Sequence, residues 1–366
     1  PTPVPPDSAG SVNRAYMTTQ VPTLADVFSD PDRLLLGALL AVLLVPVVVL
    51  LVPVVAFPAE FFESTFEENR ARIESWFRWV PRPRRPDLSY WFQLGIFGFV
   101  AAALLMLVVP EVHLDEATLA QAIGFLLAVP LVVVVLEVPG NFYLRWKHRN
   151  STRAEQLWQS AQQQRLEQQW SVPPSALIVA GFLAVLSRLA EFSPPYVYGL
   201  IAIYIGAEQA LLSLNEEEEG KERGRRTLVG MLCLFAASVI AWSVWSPVGH
   251  TFDQEAGGLG WLVADAFLPT FFLLGLETAV FAMMPLTFLK GKEVWRWKPA
   301  LWVAAFLPVA FVFINVQLAA REEADLALTG TAKAVVLFCA FGLFSLAFWL
   351  YFHPGARRWF SHLVSR

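Results

Sequence analysis

Charged residues are scarce in this 366-residue sequence, and no complete motif of a known reaction is present. Only 16% of the residues are Asp, Glu, Lys or Arg, whereas soluble proteins carry about 25%. The five histidines and two cysteines are scattered, and the motifs HExxH, Walker A, GxSxG and CxxC do not occur. We therefore expect no metal, no organic cofactor and no enzymatic activity.

Hydrophobic residues make up 56% of the chain and are concentrated in long uncharged segments. Each segment runs for about 20 residues, which is the length a helix needs to cross about 30 Å of hydrocarbon. Alternation with a period of two residues is absent, which favours helices over strands. The predicted fold class is an all-α polytopic integral membrane protein. Its nine predicted transmembrane helices lie near residues 34–59, 90–110, 120–139, 174–192, 196–214, 227–247, 259–289, 299–319 and 330–353.

The positions of lysine and arginine predict the orientation, because positively charged loops resist translocation. Most of the 27 basic residues follow odd-numbered spans, within residues 70–85, 145–165, 221–226, 290–298 and 357–366. This alternation predicts an N-terminus outside, a C-terminus in the cytoplasm and an integral protein of the cytoplasmic membrane. Abundant Ala, Val, Leu and Arg are typical of a GC-rich bacterium.

The first residues of the chain differ in composition from the rest. The run Pro1–Pro6 is rich in proline and has neither an initiator Met nor the basic and apolar zones of a signal peptide. Such runs are semi-rigid spacers between domains. We predict an extracytoplasmic linker or tail at 1–33, a transmembrane helical domain at 34–353 and a basic cytoplasmic tail at 354–366.

These features bear on four kinds of partner. The first is the lipid bilayer, and the second is an extracytoplasmic domain, either upstream on the same polypeptide or separate. The third is a further copy of the chain or another subunit of a membrane complex. The fourth, nucleic acid, is not expected, because topology already explains the basic residues.

Two stretches are alike and are consistent with a duplication of residues 34–110 and 120–192. Phe57–Phe62 and Val138–Tyr143 each contain Pro, a small residue, a polar residue and two aromatic residues. Duplications of this kind are common in transporter folds. Alternatively, proline starts helices and aromatic residues lie at interfaces in any membrane protein, and the pattern does not decide between the two interpretations.

The segment from Glu60 to Val80 is predicted to form an amphipathic helix in the cytoplasmic interface. A similar helix is predicted to begin near Thr152. Apolar residues of the first segment recur at helical spacing on one face, which suits a helix lying flat on the membrane. These positions are Phe62, Phe66, Ile73, Phe77 and Val80.

Four ionisable residues inside predicted spans form the candidate polar site. A charge near the bilayer centre costs at least about 2.5 kcal/mol and must be compensated. Arg188 and Glu191 lie three positions apart near the outer end of the fourth span, and Asp265 and Glu277 lie in the seventh. They are interpreted either as structural ion pairs or as an ion, proton or ligand path.

The stretch Phe281–Gly291 resembles the second motif of site-2 type intramembrane metalloproteases. In that family an Asn stands three residues before the Pro, and an Asp that binds zinc precedes the Gly. Ala282 and Lys290 occupy these positions here. Two His ligands are also missing, so a tetrahedral zinc site cannot be assembled. The resemblance implies at most a catalytically inactive relative.

These observations leave three functional hypotheses. The favoured one is a non-enzymatic multi-pass module that anchors an extracytoplasmic region and couples it to the cytoplasm or to partner subunits. The second is a transporter or channel that uses Arg188, Asp265 and Glu277. The third is the inactive protease-like protein. The spans carry few polar residues for a conduction path, which favours the module.

Overall fold

The computed structural model describes residues 18, 21–50, 57–69, 72–73, 75, 89–108, 115–147, 216–247, 258–286, 289–319 and 329–352. Every regular element within these residues is an α-helix. In chain order the helices are α1 (Leu24–Phe28), α2 (Pro31–Leu50), α3 (Phe57–Glu68), α4 (Ser89–Val108), α5 (Glu116–Lys147), α6 (Glu216–Trp245), α7 (Gly258–Met283), α8 (Gly291–Trp297), α9 (Pro299–Ala319) and α10 (Thr329–Phe352).

Seven of the nine predicted spans coincide with described helices, and the other two, 174–192 and 196–214, lie outside the described residues. The first predicted span, 34–59, differs most, since α2 is described from Pro31 to Leu50 and residues 57–59 already belong to α3. Among the described helices, α2, α5, α6, α7 and α9 contain segments long and apolar enough to cross a membrane. The count of nine spans and the orientation remain predictions.

Short polar side chains mark the beginnings of three helices. Thr23 and Asp26 form a capping box at α1. Asp30 accepts a hydrogen bond at 3.0 Å from the backbone N–H two residues later, at the start of α2. Asp115 accepts one at 2.8 Å from the backbone N–H three residues later, at the start of α5. Such caps satisfy amides that have no partner inside the helix, so these ends are set by local sequence.

The centre of the protein is formed by α5, α6 and α7, which all contact one another. Every residue of α7 from Pro269 to Val280 is buried, and the helix continues through Pro269. Two glycines permit close packing. A Cβ on Gly230 of α6 would overlap the carbonyl oxygen of Leu136 on α5, and a Cβ on Gly275 of α7 would overlap the Ser238 hydroxyl on α6. Small residues at such crossings bring helix backbones together.

Three helices extend this centre. Helix α4 packs on α5, α9 packs on α7, and α2 packs on α9. Gly37 of α2 lies against the side chain of Asn315 on α9, and a Cβ on Gly37 would overlap that side chain. Asn315 is 1% exposed, and its Nδ2 donates to the Phe311 carbonyl oxygen at 2.9 Å. The contact between α2 and α9 therefore depends on a small residue facing a buried amide.

Helices α3 and α10 form a second apolar cluster. Phe62, Phe66 and Ile73 are each 1% exposed and pack with phenylalanines of α10. The Phe62 and Phe348 ring centroids are 4.6 Å apart. These three side chains belong to the face that was predicted to contact the membrane interface, and they are buried against a helix instead. The remaining two predicted positions lie outside the described residues.

Candidate functional site

Asp265 lies near the beginning of α7 and is 3% exposed. The indole Nε1 of Trp245, near the end of α6, donates to Asp265 Oδ1 at 2.9 Å. The Thr18 hydroxyl donates to the Asp265 backbone oxygen at 3.0 Å. This part of the predicted polar site therefore binds a segment that precedes the first long helix.

We call residue 18 together with residues 21–28 the N-terminal segment. The indole Nε1 of Trp242 on α6 donates to the Pro22 carbonyl oxygen at 2.9 Å, and the Leu24 backbone N–H donates to the Ser246 hydroxyl. Trp242 is itself fixed by stacking on Phe272 of α7, with ring centroids 4.7 Å apart and planes 4° from parallel. The N-terminal segment is thus held by side chains at the end of α6 and by the Asp265 backbone oxygen of α7.

Glu277 also lies on α7 and is 3% exposed. It follows Asp265 by twelve residues along an uninterrupted helix, which separates the two by about 18 Å along the axis. The structure therefore does not bring Asp265 and Glu277 together into one site. Arg188 and Glu191 lie outside the described residues, so their pairing stays a prediction.

A buried charge cluster at the other end of the bundle was missed in the sequence. Glu137 of α5 is 8% exposed and forms an ion pair with Lys290, which lies in the turn between α7 and α8. Arg226 of α6 places its guanidinium nitrogen 4.0 Å from the second carboxylate oxygen of Glu137. The sequence feature that could have indicated this cluster is Glu137 itself, the single charged residue in the third predicted span.

The packing around this cluster holds the three helix ends close together. A Cβ on Gly140, one turn after Glu137, would lie 2.5 Å from the Arg226 carbonyl oxygen. The Thr227 hydroxyl of α6 donates to Glu293 of α8 at 2.6 Å. We call Glu137, Lys290 and Arg226 the charge cluster. It joins α5, α6 and the turn before α8 through one carboxylate.

The protease-like stretch includes the turn that carries Lys290. The Met283 carbonyl oxygen at the end of α7 accepts a hydrogen bond from Trp302 Nε1 at 2.7 Å. A Cβ on Gly291 would overlap the same carbonyl group, so the turn is tightly folded. Lys290 stands where the resembling family has a zinc-binding Asp, and its ammonium group is directed to Glu137. Within the described residues no group of three His, Cys, Asp or Glu side chains is placed to hold a metal ion.

The chain matches no family model, no curated protein and no solved structure. Its class therefore rests on the fold. An apolar helical bundle with five described helices able to span a bilayer fits a membrane protein.

Proposed function

We propose that this protein is a non-enzymatic multi-pass membrane module that anchors an extracytoplasmic region and couples it to the cytoplasm or to partner subunits. The observation that carries the proposal is the attachment of the N-terminal segment to the ends of α6 and α7. Trp242, Ser246 and the Asp265 backbone each contact a different part of this segment.

The energetic scale of this attachment supports a mechanical role. Single hydrogen bonds contribute about 0.5–1.5 kcal/mol net, so the three together favour the attached position of the segment by a few kcal/mol. Val27 adds an apolar side chain that is 1% exposed. A flexible tether would need none of these contacts. Movement of an attached region would therefore reach α6 and α7 directly.

The interior of α5, α6 and α7 supports anchoring over transport. Three of its buried polar side chains form hydrogen bonds within the bundle: Gln121 Nε2 donates to the Thr270 hydroxyl at 3.2 Å, and the Ser238 hydroxyl donates to the Leu234 carbonyl oxygen at 2.8 Å. The glycine crossings bring the same helices into direct contact. Polar groups satisfied in this way stabilise a packed bundle and are not available to a solvated path.

Cysteine labelling tests the attachment. Val27 and Ala25 lie two residues apart on α1, the first buried and the second exposed. In a background with Cys233→Ala and Cys339→Ala, we expect the Val27→Cys variant to react with a water-soluble maleimide much more slowly than the Ala25→Cys variant. Equal rates would overturn the proposed attachment.

A second substitution links the labelling to the hydrogen bond. Trp242→Phe retains an aromatic ring for stacking on Phe272 but removes the donor to Pro22. We expect it to speed labelling of the Val27→Cys variant roughly 2- to 10-fold, the equivalent of one net hydrogen bond. Trp302→Phe is the matched control. It also removes a buried indole donor, but that donor lies on α9 and bonds to Met283 at the opposite end of α7. It should leave the rate unchanged.

One observation favours a second candidate function, an inactive relative of intramembrane metalloproteases. Lys290, at the position of the family's zinc-binding Asp, pairs with Glu137, and a Glu is the general base of an HExxH helix. In such a helix histidines directly precede the Glu and follow it by three residues; Leu136 and Gly140 hold those positions here. The site next to Gly140 has no room for a side chain. We expect Lys290→Asp to restore no zinc binding, and stoichiometric zinc in that variant would contradict this account.

A further inference from the structure

The adjoining ends of α5, α6 and α8 carry several basic side chains. Lys147 of α5 and Arg225 of α6 both pair with Glu222, with Arg225 at 3.0 Å, and the Arg225 guanidinium carbon lies 5.5 Å from the ring centroid of Trp297 on α8. Arg296 and Lys298, on either side of Trp297, are exposed. We define the basic surface as Lys147, Arg225, Arg296 and Lys298.

Lys147 and Lys298 lie just outside candidate spans, and Arg225 lies in the second turn of the candidate span Gly220–Trp245 of α6, where it contacts Trp297. Lys147 follows the candidate span of α5 by three residues, since that span ends at Leu144. Lys298 directly precedes the candidate span of α9, which starts at Pro299. Trp146, next to Lys147, is 67% exposed, as is typical of aromatic residues at a membrane interface. The basic side chains therefore lie at the depth of lipid headgroups if the candidate spans cross a bilayer.

The acidic side chains described in this region are directed into the protein. Glu137 is bound by Lys290, Glu222 is bound by Lys147 and Arg225, and Glu293 accepts a hydrogen bond from α6. The exposed charge at this level is thus mainly positive. Four glutamates, 216–219, precede Arg225 on α6 by at least about 9 Å along the helix axis. They lie farther from the apolar part of α6 and belong to a different layer.

We propose that the basic surface binds the phosphate headgroups of anionic phospholipids in the membrane that the bundle spans. Charge complementarity at headgroup depth is the basis of the proposal, with Trp297 and Trp146 as interfacial aromatic residues. Basic clusters at the ends of membrane helices attract anionic lipids through their surface potential. The inference depends on the membrane location of the bundle and is independent of the N-terminal segment.

Competitive lipid retention tests this binding. The full chain, purified in a neutral detergent, is exposed to equal amounts of phosphatidylglycerol and phosphatidylcholine, and the lipids that remain bound are counted by native mass spectrometry. We expect a clear preference for phosphatidylglycerol. Each basic residue at a membrane surface changes affinity about 5-fold, so Arg296→Gln with Lys298→Gln should lower the preference by roughly 30-fold. Inorganic phosphate should compete weakly, because it lacks the acyl chains.

Two controls make the outcome specific. Arg296→Lys with Lys298→Arg keeps both charges and should keep the preference. Arg33→Gln removes a positive charge at the start of α2 and should also keep it. The proposal is overturned if the wild-type chain retains both lipids equally, if the double Gln variant keeps the preference, or if Arg33→Gln lowers it equally. Competition by inorganic phosphate as strong as by the lipid would also overturn it, in favour of a free-anion site.

Discussion

Replacing Glu137 by Gln should destabilise the bundle more than replacing Lys290 by Met, because the two changes leave different charges behind. Glu137→Gln leaves the ammonium of Lys290 and the guanidinium of Arg226 without their shared carboxylate, in side chains only 10% and 13% exposed. Lys290→Met leaves Glu137 with Arg226 still 4.0 Å from one of its oxygens. The carboxylate therefore retains partial compensation in the second variant only.

The magnitudes follow from the burial of the cluster. Removing one partner of a buried ion pair costs about 3–5 kcal/mol, and we expect about 4 kcal/mol for Glu137→Gln. The remaining Arg226 interaction should reduce the cost of Lys290→Met to about 2–3 kcal/mol. The double variant places neutral side chains of similar length together and should cost about 3–4 kcal/mol. This is less than the sum of the single variants, by a coupling free energy of about 2–4 kcal/mol.

Equilibrium unfolding in mixed detergent micelles measures these free energies for the four proteins of the cycle. Lys147→Met is the matched control, because it removes a lysine from an ion pair with Glu222 at the same end of the bundle but with 31% of the lysine side chain exposed. It should cost at most about 1 kcal/mol. Additivity within about 0.5 kcal/mol, or a larger cost for Lys290→Met than for Glu137→Gln, would refute the assigned role of the cluster.

Three further predictions address packing, transport and topology. Gly140→Ala should destabilise the fold by about 1–3 kcal/mol through overpacking against Arg226. Gly95→Ala is the control and should not destabilise the fold, because the space around the added Cβ is open. Equal thermal stability of the two variants would contradict the close approach of α5 and α6. Liposomes with the wild-type chain should conduct no more protons than empty liposomes in a pH-dye assay, and a flux that Glu277→Gln abolishes would favour the transporter. Cysteine at Asp115 should be labelled from outside and cysteine at Glu217 only after permeabilisation, and external labelling at both would break the predicted orientation.

Local sequence was sufficient to predict the long apolar helices among the described residues. Uninterrupted apolar runs favour helices in a membrane because a helix satisfies its own backbone hydrogen bonds, and this condition depends on nothing distant in the chain. The predicted span 299–319 coincides with α9, and most other ends differ by only a few residues. Proline disrupts helical hydrogen bonding locally, yet α7 continues through Pro269, where its neighbours bury it on all faces.

Tertiary structure alone decided which residues meet. Glu137 and Lys290 are 153 positions apart, and neither is marked by its neighbours as the partner of the other. The composition of the N-terminal region indicated no partner for Pro22, whose carbonyl oxygen accepts a hydrogen bond from Trp242, 220 positions later. Phe62 has the spacing of an amphipathic face, and only packing decides whether that face meets lipid or α10. Hydrophobicity sets the depth and length of a helix, whereas its rotation and partners depend on contacts between segments distant in sequence.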